Sequence, residues 1–251
     1  MKIDLSDKKI IVTGASSGIG EAIAKSLLDA GATLAAHYNS NKKNAENLIK
    51  GSKYSKIYKA NLAIPEEIYT FFNEVVNDFE KIDMIVHNAG IFESHETSLS
   101  SKDWLSVWNK SMGINLNAVG ILTQLGIEHF KTNGGGTMVY ISSRAAFRGE
   151  TEEYLAYAAS KGGVVSLGRT VARSFGKFNI KSFIIAPGFT ETPMAENFIS
   201  SAGRDKIISE NALGQLTQPN DISPIIVLMA AGLMDHATGS TIDFNAGSYI
   251  H

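Results

Sequence analysis

Lys9-Ile10-Ile11-Val12-Thr13-Gly14-Ala15-Ser16-Ser17-Gly18-Ile19-Gly20 passes from a short apolar run into a loop with three glycines. Gly18 then opens a stretch that sets Ile19, Ala22, Ile23, Ser26, Leu27 and Ala30 on one helical face before Gly31 stops it. A buried strand, a tight loop and an amphipathic helix account for this pattern. Glycine lets the backbone turn sharply and approach a ligand closely, and the unpaired N–H groups at a helix start favour an anion. In the order strand, loop, helix, the spacing Gly-x-x-x-Gly-x-Gly points to a bound pyrophosphate.

Working outward, further short apolar runs recur with room for a helix between them. The predicted strands are 9–13, 33–38, 56–59, 83–87, 137–141, 180–186 and 241–244. They are apolar through their middles rather than alternating, as strands buried on both faces are. Helices are predicted over 18–30, 65–79, 111–130 and near 221–231, with Pro65 suited to a first helical turn. Alternating strands and helices without a linker or repeat predict one α/β domain, 1–251: a doubly wound parallel sheet of about seven strands, a Rossmann fold. The stretch 188–218 interrupts the alternation. A long excursion beyond a strand's carboxyl end is where such sheets bind ligands, so it is expected to form a mobile substrate loop.

The 251 residues carry 23 Lys and Arg against 25 Asp and Glu, a net charge of -2, which offers no general attraction to nucleic acid or an anionic membrane. The chain has no cysteine, hence no disulfide and no thiolate chemistry. Six histidines stand without metal-ligand spacing, and no metal site is expected. The start of the chain lacks the apolar core of a signal peptide and no run is long enough to span a bilayer, so a soluble cytoplasmic protein is expected. His95 is expected in a solvated loop, Trp104 and Trp108 in the core, and Lys42, Lys43, Lys50, Lys53, Lys56 and Lys59 on a solvated face.

Tyr157-Ala158-Ala159-Ser160-Lys161 sets a phenol and an ammonium on one face of a helix. Tyr38 and Lys42 share that spacing, but Tyr38 closes a strand beside the glycine loop, whereas Tyr157 follows a strand ending in Ser142-Ser143. A phenol with its ordinary pKa near ~10 is a slow acid–base at neutrality, and a neighbouring cation lowers that value. Tyr157 with Lys161 is therefore the candidate for proton transfer.

Thr13 through Gly20 match the Thr-Gly-x-x-x-Gly-x-Gly pattern of the short-chain dehydrogenase/reductase family, which the chain resembles along almost its whole length. The resemblance implies a nicotinamide cofactor held at its pyrophosphate by Gly14, Ser16, Ser17, Gly18, Ile19 and Gly20. His87-Asn88-Ala89-Gly90 is similar to the family's Asn-Asn-Ala-Gly, and Asn61-Leu62 stand where the family commonly has an Asp that binds the adenine amine. Ser143 matches the family's catalytic serine with one extra residue before Tyr157, Ser142 being the adjacent alternative. Asn115 matches the helix asparagine that positions a proton-relay water for Lys161. Lys161 also takes the nicotinamide ribose. Pro187-Gly188 with Thr190 and Thr192 resembles the family's Pro-Gly-x-x-x-Thr-x-Met segment, which backs the nicotinamide ring.

By the same resemblance the chain interconverts a ketone or aldehyde and an alcohol by hydride transfer, as a homotetramer with residues 248–251 at an interface. A regulatory Rossmann protein that only binds a nucleotide, or a methyltransferase, has no need for Ser143, Tyr157 and Lys161 together. The chain broadly resembles 3-oxoacyl carrier-protein reductases, yet the places of their carrier-binding arginines align with Gly134 and Phe178, so the substrate is a 3-oxoacyl thioester or another small carbonyl. NADP(H) is expected over NAD(H): an NAD-selective site carries an acid at the end of the second strand, where this chain has Tyr38, Asn39, Ser40 and Asn41 with Lys42 and Lys43 following.

Overall fold

The computed structural model describes residues 3–251, apart from the side chains of residues 197 and 200–202; Met1 and Lys2, which begin the segment read for a signal peptide, lie outside the described residues. Seven strands, β1 Lys9–Val12, β2 Thr33–Tyr38, β3 Lys56–Lys59, β4 Met84–His87, β5 Gly136–Ile141, β6 Ile180–Pro187 and β7 Thr241–Phe244, form one parallel sheet in the order β3-β2-β1-β4-β5-β6-β7. Each lies within a residue of its predicted bounds. The helices are α1 Gly18–Asp29, α2 Lys42–Leu48, α3 Pro65–Phe79, α4 Ser101–Met112, α5 Ala118–Thr132, α6 Ala145–Arg148, α7 Leu155–Phe175, α8 Pro193–Ala202, α9 Arg204–Ser209 and α10 Pro219–Ala230.

The two-residue period of a strand sorts the core into two layers. Ile11, Ile85, Met138, Tyr140 and Ile184 pack with Phe71 and Val75 of α3, Phe130 of α5 and Val164 of α7. Their neighbours Ile10, Val12, Val86, Val139, Phe183 and Ile185 face the other way, onto Ile23 and Leu27 of α1 and Ile222 and Ile226 of α10. Both faces are thus buried, which is why the strands read as unbroken apolar runs.

Three expectations need correction. The helix predicted over 111–130 begins ten residues earlier, at Ser101, and is two helices joined by a wide, π-type turn at Gly113–Asn117. Ser100 starts it, its hydroxyl accepting from the Asp103 N–H at 3.2 Å. Trp104 and Trp108 are half-buried rather than core, with their rings stacked at 5.1 Å on a helix that is otherwise largely exposed. His95 is not solvated: it is 1% exposed, edge-on to Trp104 at 5.3 Å.

The excursion after β6 carries α8 and α9 and a small apolar cluster of its own, Ile199, Ile207 and Leu216 packed with Phe189 and Phe198. A bridge between Thr190 and Thr217 closes its base. Among the described residues no helix is long and apolar enough to cross a membrane.

Candidate active site

The strand order reverses between β1 and β4, and a cleft of about 370 Å³ opens there beyond the carboxyl ends of the strands. It is lined by Gly14, Ser16, Ser17, Gly18, Ile19, Asn39, Ser40, Asn61, Leu62, Asn88, Ala89 and Gly90 at one end. Ser142, Ser143, Tyr157, Lys161, Pro187, Gly188, Thr190 and Thr192 line the other. Of the residues singled out for the site in the sequence, Gly20, Tyr38, Asn41, Lys42, Lys43 and Asn115 are not part of the lining.

Strand alternation explains Tyr38. Its neighbour His37 takes the face toward the glycine loop, so the buried phenol of Tyr38 points to the opposite side of β2. Gly20 lies one helical turn in, where a Cβ would stand 2.2 Å from the Gly14 carbonyl oxygen and 2.4 Å from Asn88 Nδ2. The third glycine thus permits α1 to close on the loop. Gly14 and Gly18, at φ +65° and +56°, hold the loop in a left-handed conformation that disfavours other residues.

The cradle is fastened from two sides. Asn88 Nδ2 donates to the carbonyls of Thr13 at 2.9 Å and Gly14 at 3.2 Å, while Thr13 Oγ1 accepts the backbone N–H groups of Asn88 and Ala89 at 2.9 and 3.0 Å. On the other side Gly14 N–H donates to His37 Nδ1 at 3.0 Å. Asn61 Oδ1 is engaged by the Ala63 N–H at 3.1 Å, and Asn41 caps α2 by accepting from Asn44 N–H at 3.3 Å. Lys42 pairs with Glu46 at 3.4 Å, and all six lysines of the expected solvated face are exposed.

At the other end α7 presents Tyr157 and Lys161 on one face, beside the end of β5. Ser143 Oγ accepts from the Ala145 N–H at 3.1 Å on the Tyr157 side of the cleft, whereas Ser142 Oγ donates to the Lys161 carbonyl at 2.9 Å, which separates the two serines. Lys161 Nζ donates to the Ile141 carbonyl at 2.9 Å and lies 5.7 Å from the Tyr157 ring centre. The expected lowering of the phenol pKa is not what this geometry produces. Desolvation in the cleft pushes Tyr157 up to about 12, against the polar influence of the Ser143 hydroxyl and with the Glu150 charge. Burial also pushes Lys161 down to about 8.

Asn115 is wholly buried in the π-type turn. Its amide accepts from Ile91 N–H at 2.8 Å and donates to the Ile91 carbonyl at 3.0 Å and Ser160 Oγ at 3.2 Å. It therefore holds the loop after β4 against α7, and a Cβ on Gly90 would meet both Asn115 Oδ1, at 3.2 Å, and Lys161 Nζ, at 3.5 Å.

Several lining residues were not singled out in the sequence: His37, Phe92, Arg144, Glu150 and Phe189. Arg144 directly follows Ser143, which was a usable signal; the aromatic residues come from distant loops and carried none. Phe92 stacks on Tyr154 at 3.9 Å and meets Tyr157 edge-on at 4.8 Å.

A glycine cradle that added Cβ atoms would fill, continuous with a Tyr/Ser/Lys cluster, fits a dinucleotide with its pyrophosphate at the α1 start. The family model described as enoyl-(acyl carrier protein) reductase matches residues 14–248. The 3-oxoacyl-(acyl-carrier-protein) reductase FabG of Thermotoga maritima is 31% identical, covering 98% of this chain and 99% of the relative. A 7alpha-hydroxysteroid dehydrogenase of Bacteroides fragilis is 29% identical over 98% of this chain and 95% of its own. Among solved structures, a protein of Beutenbergia cavernae assigned as an NAD(P)-dependent gluconate 5-dehydrogenase, with bound NADP at low occupancy, superposes with a TM-score of 0.90 at 27% identity over 99% of each chain. A short-chain type dehydrogenase/reductase of Mycobacterium marinum shares the fold at a TM-score of 0.89 and 22% identity, over 99% of this chain and 98% of that one. With a family model running from the first glycine of the cradle to the C-terminal turn, and a relative aligned end to end, the chain belongs to the short-chain dehydrogenase/reductase family, whose members are NAD(P)-dependent oxidoreductases acting on alcohol and carbonyl groups.

Proposed function

We propose that this chain is an NADP(H)-preferring reductase of a small carbonyl compound, with Tyr157 as the proton donor. The observation that carries this is that Ser143, Tyr157 and Lys161 come together in one desolvated cleft continuous with the glycine cradle. Burial, which pushes its pKa up to about 12, keeps the phenol protonated and its proton available, but makes it a weak acid, so transfer to a carbonyl oxygen depends on a cation that stabilises the phenolate. Ser143 Oγ orients that oxygen, and the Lys161 ammonium, 5.7 Å from the Tyr157 ring centre, stabilises the phenolate left behind and takes the ribose hydroxyls. When bound, the nicotinamide supplies the hydride. Asn115 keeps the loop after β4 and α7 in register, so that a water relay can reach Lys161.

NADP(H) is favoured because Asn39 and Ser40 line the adenosine end of the cleft without a carboxylate there to repel a 2′-phosphate, and a structural neighbour carries bound NADP. A 3-oxoacyl thioester is one candidate substrate, as the FabG relative's name indicates for that protein. The chain acts as one domain with 188–218 as its substrate loop, and it assembles as a tetramer in the cytoplasm; exposed Leu105 beside the stacked Trp104 and Trp108 supports assembly. Light scattering at micromolar concentration checks that state. For the chemistry, Tyr157→Phe should lower kcat by at least about a thousandfold with NADPH affinity kept within about threefold. A variant turning over near the wild-type rate overturns the assignment.

A further inference from the structure

Arg144 follows Ser143 at the substrate end of the cleft, and its side chain is only 2% exposed. The guanidinium lies over the Phe189 ring at 4.9 Å, and neither Nη1 nor Nη2 has a hydrogen-bond partner among the described residues. The nearest carboxylate, Glu210 on the substrate loop, stands at 3.7 Å, is shared with Arg148 at 3.8 Å and is 43% exposed. The other carboxylate of this corner, Glu150, is held by Arg148 at 3.4 Å. A buried guanidinium with two unfilled nitrogens is costly to keep, and its planar fork matches a carboxylate in two parallel hydrogen bonds.

On the reading that the cleft reduces a carbonyl, we infer that its substrate is an oxo acid whose carboxylate binds Arg144 while its carbonyl faces Ser143 and Tyr157. The Phe189 ring occupies one face of the guanidinium and leaves the edge to the ligand. Glu210 is the weak occupant of that edge. It is solvated and beyond hydrogen-bond reach, so a substrate carboxylate displaces it at little cost. Between the two polar ends the wall is aromatic: Phe92 stacked with Tyr154, and Phe189 stacked with Phe198 at 4.8 Å. That wall fits a flat or apolar carbon skeleton rather than a highly hydroxylated one.

The test uses the full-length protein with NADPH. Calorimetry with 3-phenylpropanoate and its neutral amide should show the acid binding at least about tenfold tighter, and steady-state kinetics should favour 4-oxo-4-phenylbutanoate over its methyl ester by a similar factor. Arg144→Met should remove both preferences. Glu210→Gln, which removes the competing carboxylate, should tighten 3-phenylpropanoate by about threefold. Equal binding of acid and amide, no binding of the acid, or a preference that survives Arg144→Met overturns the assignment; an arginine that only pinned the substrate loop would give the first result. A Glu210→Gln protein that binds the acid no better also counts against it, and needs no folded Arg144 variant. Arg144-dependent binding without any carbonyl reduction would sink the proposed function and leave the carboxylate site standing. Carbonyl reduction without an acid preference would do the reverse.

Discussion

His37 Nδ1 stands 3.0 Å from the backbone nitrogen of Gly14, and Nε2 of the same ring stands 3.0 Å from the Ala60 carbonyl oxygen. One imidazole thus ties the first glycine of the cradle to the chain leaving β3. A neutral ring with its proton on Nε2 satisfies both contacts, and burial keeps it neutral by pushing its pKa down to about 4.

His37→Leu leaves the Gly14 N–H without its acceptor, at a cost of roughly 1–3 kcal/mol for an unmet buried group. NADPH affinity should fall about tenfold or more by fluorescence titration, with kcat for bound enzyme much less affected. Unchanged affinity would show that the loop holds its shape without the imidazole.

His87 is buried against Tyr140, stacked at 4.7 Å, and burial pushes its pKa down to about 3. The unfolded chain takes up this proton near pH 6.5 while the folded one does not, so its contribution is complete above that pH and is lost as pH falls toward about 3. The span corresponds to something on the order of 5 kcal/mol. His87→Phe keeps the stack without the titration. Its denaturation midpoint should therefore decline less steeply between pH 6.5 and 4 than the wild type's, as measured by circular dichroism in urea.

Burial pushes the Lys161 ammonium down to about 8, so its charge is present below that pH and lost as pH rises through it. NADPH binding to the wild type should weaken across pH 7–9. Lys161→Met, weaker throughout, should show no such step. A wild-type affinity that stays level over that range would mean the ammonium remains charged or does not meet the ribose.

Cofactor preference follows from Asn39 and Ser40 lining the cleft with no acid beside them. The kcat/KM with NADPH should exceed that with NADH by about tenfold, and Asn39→Asp, which restores repulsion of a 2′-phosphate, should erase or reverse the ratio. A higher value with NADH for the wild type decides against the preference.

Local pattern in the chain determined the sheet and much of the cleft. Strand and helix periods depend on residues within a few positions of each other, so seven strands and the glycine cradle were readable from local pattern, and the Tyr157/Lys161 face from its spacing together with its place after the strand ending in Ser142-Ser143. Contacts between distant segments decided the rest. Whether His37 or Tyr38 faces Gly14 depends on how β2 packs beside β1, since one residue's shift exchanges the faces. His95 is buried because α4 lays Trp104 over it, a contact between segments that no local pattern encodes. The Tyr157 pKa rises because walls from distant segments exclude water, a property of the assembled cleft that no spacing of Tyr and Lys encodes. Arg144 acquires its meaning only when Phe189 and Glu210 fold back across it, removing its solvent without supplying a hydrogen bond.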